Sequence, residues 1–351
     1  MITYVVPLRC ESCPAGAHAE LVQYLGGLDR GQATVIVADG SRPDVFARHH
    51  VFIEVARHIG LDADVARFAN GKVAGVTTGI RAASTELVIL ADDDVRYTAA
   101  SLQAVVRALG GADLVVPQNV FPRAQQPWHV RWDGARSLLN RAIGSDPPGT
   151  MAIRRSAFMR TNGYDGDVLF ENLELIRTIE ASGGRVAVRR DLAVLRLSPT
   201  TRWFFGQRIR QAYDEFARPA RLVASLAIAP AVVAATRRAR WAPAALAVAA
   251  VAAAEFGRRR DGGRAMFPGS TSAFAPLWLA ERAVCSWVAV GFRIFRGGVP
   301  YRGRVLSRSA TPRHELERRY RAQPPLRAIH RTAASSVNVR TGTAARSLDG
   351  S

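Results

Sequence analysis

Residues 87–97, Leu-Val-Ile-Leu-Ala-Asp-Asp-Asp-Val-Arg-Tyr, constrain this chain more than any other stretch. Five apolar residues run straight into three consecutive carboxylates. A run of that length without alternation fits a parallel strand covered on both faces, and open α/β sheets bind ligands just beyond the carboxyl ends of such strands. Three adjacent carboxylates repel one another. They are most easily held ionised around a divalent cation, and hard oxygen ligands suit Mg2+ or Mn2+.

The preceding residues supply the rest of such a sheet. Residues 2–6 are apolar and β-branched and end at Pro7, a first strand followed by a loop with Arg9 and Glu11. Helical spacing follows over 17–28. Residues 34–38 make a second strand that ends in Asp39-Gly40-Ser41, an acid followed by turn residues. The periodicity predicts a helix over 45–59, then a small-residue patch after Gly71-Lys72 leading into the acidic strand. This alternation, with acids at strand ends, is the pattern of a nucleotide-binding sheet. Its glycines form neither GxGxxG nor a P-loop.

Beyond the triplet, a helix is expected over 99–109, a strand over 113–117 and a loop-heavy wall over 122–148. A strand follows from 149. An amphipathic helix then carries Glu171 and Glu174, three apart and hence on one face near its N-terminus. Residues 186–197 read as a strand pair.

Charge divides the chain near residue 200. The net charge is +19, yet the first 199 residues hold 22 basic and 21 acidic side chains, leaving 26 and 8 for the remainder. Among the 48 basic residues Lys72 is the single lysine. An α/β half of balanced charge thus precedes a basic half suited to polyanions such as anionic lipid. Nucleic acid is the poorer fit, because these arginines interleave with Ala-rich runs rather than with a base-stacking aromatic surface. Three cysteines form no disulfide framework. Cys10-x-x-Cys13 has no second Cys/His pair at zinc-ligand spacing, and the histidines read as ordinary surface or core residues. The N-terminus lacks the pattern of a signal peptide, so the first half is expected to stay in the cytoplasm.

After residue 200 comes an aromatic and cationic amphipathic stretch, 203–211, and then apolar runs at 222–236, 241–254 and 265–292. A helix of the first run reaches only about 22 Å, against a hydrocarbon core of about 30 Å. Helices at the interface, or short paired spans with snorkelling arginines, fit better than a simple hairpin; soluble core helices are the plain alternative. From 309 the chain is basic and rich in Pro, Ser and Thr, the composition of a disordered tail.

Val5-Val-Pro7 with Glu11, Val35-Ile-Val-Ala-Asp39-Gly-Ser41, Gly71-Lys72, Asp92-Asp-Asp94, Glu171-Asn-Leu-Glu174 and Gln207-x-x-Arg210 occur in an order that resembles family-two glycosyltransferases. The similarity is greatest to the membrane-bound branch with ceramide glucosyltransferase-like and polysaccharide-synthase-like enzymes. It covers about residues 1–215, and Tyr301-Arg-Gly-Arg304 resembles that branch's membrane tail. The resemblance implies an α/β, GT-A (Rossmann-like, mostly parallel) nucleotide-sugar domain over 1–215, membrane-associated helices over 216–308 and a tail over 309–351. It implies that Asp94 ligates Mg2+ or Mn2+ with Asp92 on the ribose or the same ion and Asp93 beside them. Asp39 would bind the base, Pro7 and Glu11 would line the pocket, and Lys72 would contact the nucleotide.

A GT-A enzyme also needs a general base near the anomeric carbon. The family offers Asp in a Glu-Asp pair at the helix start, whereas this chain has Glu171-Asn172, so Glu171 or Glu174 is expected to take that role. Gln207 and Arg210 would stand near acceptor and diphosphate. Gln211 replaces the family's aromatic platform, which favours transfer of one sugar over processive synthesis. The resulting expectation is an inverting, metal-dependent transferase acting on a UDP- or GDP-sugar and a lipid or lipid-linked acceptor of the cell envelope, at the cytoplasmic face of the cell membrane. The alternative is a catalytically degenerate membrane adaptor that still binds nucleotide sugar.

Overall fold

A computed structural model describes residues 1–11, 16, 18–30, 33–124, 126–144, 146 and 148–322. Cys13 and the tail from 323 lie outside the described residues. In chain order the first half contains β1 (Ile2–Leu8), α1 (Ala19–Arg30), β2 (Ala33–Asp39), α2 (Pro43–Arg48), β3 (Arg57–Gly60), α3 (Gly71–Ala82), β4 (Leu87–Ala91), β5 (Val95–Arg96), α4 (Ala99–Ala108) and β6 (Leu114–Val120). Next come α5 (Trp128–Ile143), β7 (Thr150–Arg154), α6 (Arg155–Thr161), α7 (Glu171–Ala181), β8 (Val186–Arg196) and α8 (Thr201–Tyr213). The remainder is α9 (Pro219–Arg238), α10 (Ala242–Arg259), α11 (Gly263–Met266), α12 (Ala275–Arg296), β9 (Val299–Tyr301), β10 (Arg304–Leu306) and α13 (Arg313–Arg321).

Eight strands form one sheet in the order β3-β2-β1-β4-β7-β6-β8-β5, so the expected α/β class holds. β1, β2, β3 and β4 pair in parallel, β6 pairs in parallel with β8, and β7 and β5 run against their neighbours. Alternate residues of each strand serve opposite faces. Tyr4, Val6, Val35, Val37 and Ile89 meet Leu21, Leu25 and Val105 on one side. Val5, Ile36, Val88 and Leu90 meet Val73, Val76, Ile80, Leu175 and Ile179 on the other. The small residues of α3 permit its close approach to β1: a Cβ at Gly79 would lie 2.2 Å from Val5 Cγ1, and one at Gly75 2.7 Å from Pro7 Cβ.

Several local expectations are corrected. The helix read over 45–59 is α2 plus a 3-10 turn at His49–Glu54, and 57–60 is the edge strand β3. The wall at 122–148 contains the 16-residue helix α5. Its inner face carries His129, Asp133, Ser137, Asn140 and Arg141, all buried, so a polar stripe at helical spacing hid it from a search for apolar periodicity. Residues 186–196 make one long strand, with a register shift opposite Pro117/Gln118, rather than a pair. Nor is the region from 309 wholly tail: α13 packs on α7 through buried Leu316, and Ser309 and Thr311 are buried.

The apolar runs are helices α9, α10 and α12. α10 lies against α5 so tightly that a Cβ at Gly257 would sit 2.0 Å from the carbonyl oxygen of Leu138, while α12 packs on α8 and α9. Their outer faces stay exposed, with Val223, Val233, Val248, Val284, Trp287, Ile294 and Phe295 open to the surroundings. Pro219–Arg238 and Gly269–Arg296 are long and apolar enough to cross a membrane by length and composition.

Candidate active site

A cavity of about 420 Å³ opens where β1 and β4 end, between the sheet and the helices that follow α7. The sheet side contributes Pro7, Lys72, Asp92, Asp93 and Asp94, α7 contributes Glu171 and Asn172, and α8 contributes Gln207 and Arg210. More than four-fifths of the chain separates Pro7 from a further group on its wall. The hairpin β9–β10 turns through Arg302 and Gly303, both at positive φ, and sets Tyr301 and Arg302 into the same cavity. Tyr301 Oη donates to Asn70 Oδ1 at 3.2 Å, and the Arg210 guanidinium lies 4.6 Å from the Tyr301 ring centre.

Both signs of charge line the cavity. Asp92, Asp93, Asp94 and Glu171 come from the first half and Asp214 and Glu215 from the second, while Arg210, Arg218, Arg221, Arg282 and Arg302 join Arg9, Arg136 and Arg196 on the cationic side. The single lysine bridges the acids: Lys72 Nζ stands 2.6 Å from Asp92 Oδ1 and 2.9 Å from Glu171 Oε1. Burial alone would lower its pKa, but Asp92 and Glu171 outweigh it and hold the ammonium well above its ordinary value. Arg196 Nε pairs with Asp94 Oδ2 at 2.7 Å. Neutralisation of the triplet therefore differs from the expectation of three acids around one ion. Asp92 is taken by Lys72, one oxygen of Asp94 by Arg196, and Asp93 is exposed.

What remains is Asp94 Oδ1, which is buried without a hydrogen-bond partner among the described residues. Burial pushes this carboxyl above its ordinary value although Arg196 opposes the shift. A carboxylate oxygen without a partner, on a residue that lines a cavity shared with arginines, fits the way Mg2+ is commonly held, by one or two carboxylates plus substrate phosphates. Gly149 keeps the place of Asp92, since a Cβ there would lie 2.4 Å from Asp92 Oδ2 while its carbonyl accepts from the Asp92 amide at 2.9 Å.

Three expected site residues do not reach the cavity. Glu11 is exposed in the loop beyond β1, and Leu8 and Arg9 line the wall beside Pro7 instead. Asp39 is enclosed: its carboxylate accepts from the Ser41 amide at 2.8 Å and meets His49 Nδ1 at 2.6 Å and His58 Nε2 at 3.1 Å. Burial would raise its pKa, yet these donors hold it below the ordinary value and leave no face for a base. Glu174 is fully buried on the far side of α7, where it accepts from the Thr311 amide at 2.6 Å. One face of a helix seen in sequence is two neighbourhoods here, with Glu171 in the cavity lining and Glu174 against the segment before α13.

Sequence reasoning missed Asp214. It follows α8, lines the cavity, and is pushed up to about 7 by burial and by the charge of Glu171. Asp214 Oδ1 has no hydrogen-bond partner among the described residues. The only sequence signal was its place four residues past Arg210. Trp203 and Trp278 also line the cavity, so aromatic faces are present despite Gln211.

No protein-family model and no curated protein matches the chain. Among solved structures it is similar to the mannosyltransferase PcManGT from Pyrobaculum calidifontis in complex with GDP-Man and Mn2+, at TM-score 0.45 and 19% identity over 82% of this chain and 86% of that one. It is also similar to mannosyl-3-phosphoglycerate synthase from Rubrobacter xylanophilus, at TM-score 0.41 and 14% identity over 60% and 70%. A third similarity is to S. aureus TarS, at TM-score 0.40 and 13% identity over 61% and 39%. Likenesses of this degree leave activity and ligands to be argued from the site itself.

Proposed function

We propose that the chain transfers a sugar from a nucleotide-diphosphate donor to a lipid or lipid-linked acceptor at a membrane surface. The observation that carries this reading is the cavity wall, on which Asp94, with its unpartnered Oδ1, stands together with arginines from α8, α9 and the β9–β10 hairpin. A diphosphate needs such a wall, because its charge must be neutralised before the anomeric carbon is attacked. Arg210 and Arg302 line the cavity and would receive phosphate oxygens, and Asp94 would hold Mg2+ or Mn2+. A divalent ion bound there supplies Lewis-acid neutralisation of the leaving diphosphate.

Asp214 is the best-placed proton acceptor. Its carboxyl, held near 7, is partly ionised at neutral pH, whereas Glu171 is tied to Lys72. Direct attack by an acceptor deprotonated there gives inversion. The exposed apolar faces of α9 and α12 support an acceptor presented from a membrane. In this reading the catalytic half would lie on the cytoplasmic side. The donor nucleotide would be uridine or guanosine diphosphate.

A second reading, a membrane adaptor that binds nucleotide sugar without turnover, is favoured by Asn172 at the expected base position and by the Lys72 clamp on Glu171. Incubation of the purified chain with UDP- and GDP-sugars, Mn2+ and membrane lipid extract, followed by analysis of lipid products, separates the two. Transfer that is abolished by EDTA and by Asp94→Ala supports the enzyme. Donor binding without product supports the adaptor, and transfer indifferent to both treatments overturns the proposed role of Asp94.

A further inference from the structure

A second cluster of metal-binding side chains lies outside the cavity, at the ends of β1 and β2. Cys10 follows β1, His18 precedes α1, and His49 opens the 3-10 turn after α2. One ligand atom from each lies within 4.8 Å of the others. Cys10 Sγ and His18 Nε2 are 3.4 Å apart, near the roughly 3.6 Å expected between sulfur and nitrogen on one tetrahedral zinc. His49 is fully buried. Its Nδ1 is engaged by Asp39 Oδ2 at 2.6 Å, so the nitrogen it can offer is Nε2, which has no hydrogen-bond partner among the described residues.

We propose that Cys10, His18 and His49 bind a zinc ion, with Asp39 orienting His49 through Nδ1. A carboxylate on one imidazole nitrogen with metal on the other is the arrangement that fixes the tautomer and raises ligand basicity. Thiolate with two imidazoles selects zinc over the hard cations suited to Asp94. Phe52 packs against His18 and His49 with ring centres 5.4 and 5.9 Å away, giving the cluster an apolar backing. Binding releases the Cys10 thiol proton to solvent.

The neighbouring trio Asp39, His49 and His58 is the weaker candidate. Its 2.6 Å contact is a hydrogen bond, shorter than the roughly 3.3 Å between two ligand atoms on one tetrahedral zinc. Cys13 lies outside the described residues, and the site is built without it. The consequence for the molecule is mechanical: zinc ties the loop after β1 to the start of the 3-10 turn, and Arg9, next to Cys10, lines the cavity.

The experiment is metal analysis of the full chain, purified from zinc-supplemented cells without chelator, with folding checked by circular dichroism. The expected result is one zinc per chain, lost in both Cys10→Ser and His18→Gln, and a Co2+-loaded form with a thiolate-to-cobalt absorption band that Cys10→Ser abolishes. Asp39→Asn should weaken Zn2+ binding about 10- to 100-fold in competition with a chromophoric chelator. A folded wild-type chain that neither contains nor takes up zinc overturns the site. Zinc retained by both variants, or lost with His58→Gln but not with Cys10→Ser, overturns it as well.

Discussion

The two strands that flank β1, namely β2 and β4, run into aspartate, and the molecule treats the two ends in opposite ways. Asp39 closes β2 with a side chain that is 0% exposed, held by an amide and two imidazoles; Asp92 follows β4 with 19% of its side chain exposed and an ammonium beside it. In sequence both are an acid after a buried strand. What separates them is the company brought from elsewhere, His49 and His58 in one case and Lys72 in the other. A strand-end acid therefore marks a place where a ligand can bind, and the neutralising partner decides whether one does.

Asp214 tests that rule most severely, because it is a cavity acid whose Oδ1 has no hydrogen-bond partner among the described residues. Asp214→Asn should lower transfer by about 10²- to 10⁴-fold, measured as initial rate. Wild-type activity should rise with pH through about 7 as the carboxyl ionises, and the residual rate of the variant should lack that rise. Stability moves the other way. The folded pKa lies above the unfolded one, so this group's contribution is full below the unfolded pKa of about 4 and is lost as pH climbs through about 7; Asn removes that decline in melting temperature.

The contrast between the two strand ends should appear as a split in readout. Asp94→Ala is expected to cost about 10²- to 10³-fold in transfer with little change in melting temperature. Asp39→Asn should instead cost about 2–3 kcal/mol of stability by denaturant titration of metal-free protein, because it weakens charge-assisted bonds in a buried site, while donor binding to the remaining folded protein changes little. Equal effects of both changes on donor affinity would break the comparison.

Smaller effects sharpen it. Gly149→Ala puts a Cβ against Asp92 Oδ2 and should destabilise by about 1–2 kcal/mol while shifting Asp92 from Lys72, read as a raised KM for the donor. On the exposed face of α12, Phe295→Ser should reduce sedimentation with anionic vesicles by a few-fold and leave the melting temperature unchanged, since Phe295 is 86% exposed.

The sheet was legible because its strands carry buried apolar runs ended by turn residues, and the sequence places Asp92, Lys72, Glu171 and Arg210 near strand or helix ends that converge. β3 was lost because Arg-His-Ile-Gly is a four-residue edge strand with no alternation. α5 was lost because Arg141 is buried by donating to the carbonyls of Gly257, Arg190 and Arg260 rather than by packing against apolar neighbours. Asp214 was illegible for another reason. Its pKa depends on burial beside Glu171, a neighbour made by tertiary structure. The same holds for Cys10, His18 and His49, whose spacing in the chain matches no ligand motif although the fold gathers them.

The hairpin β9–β10 has a consequence for how the molecule comes into being. Tyr301 reaches Asn70 across 231 residues of chain, and the bridge between Val168 and Arg308 is closed from the same end. Contacts of such long sequence separation carry a large loop-closure cost and form late. During synthesis the sheet can assemble first, with Asp92 and Glu171 already clamped by Lys72, while the arginine wall is still to be made. Completion of the cavity thus awaits the last fifth of the chain, and a ribosome-bound nascent chain stopped before residue 299 should carry a folded sheet that does not retain a nucleotide diphosphate.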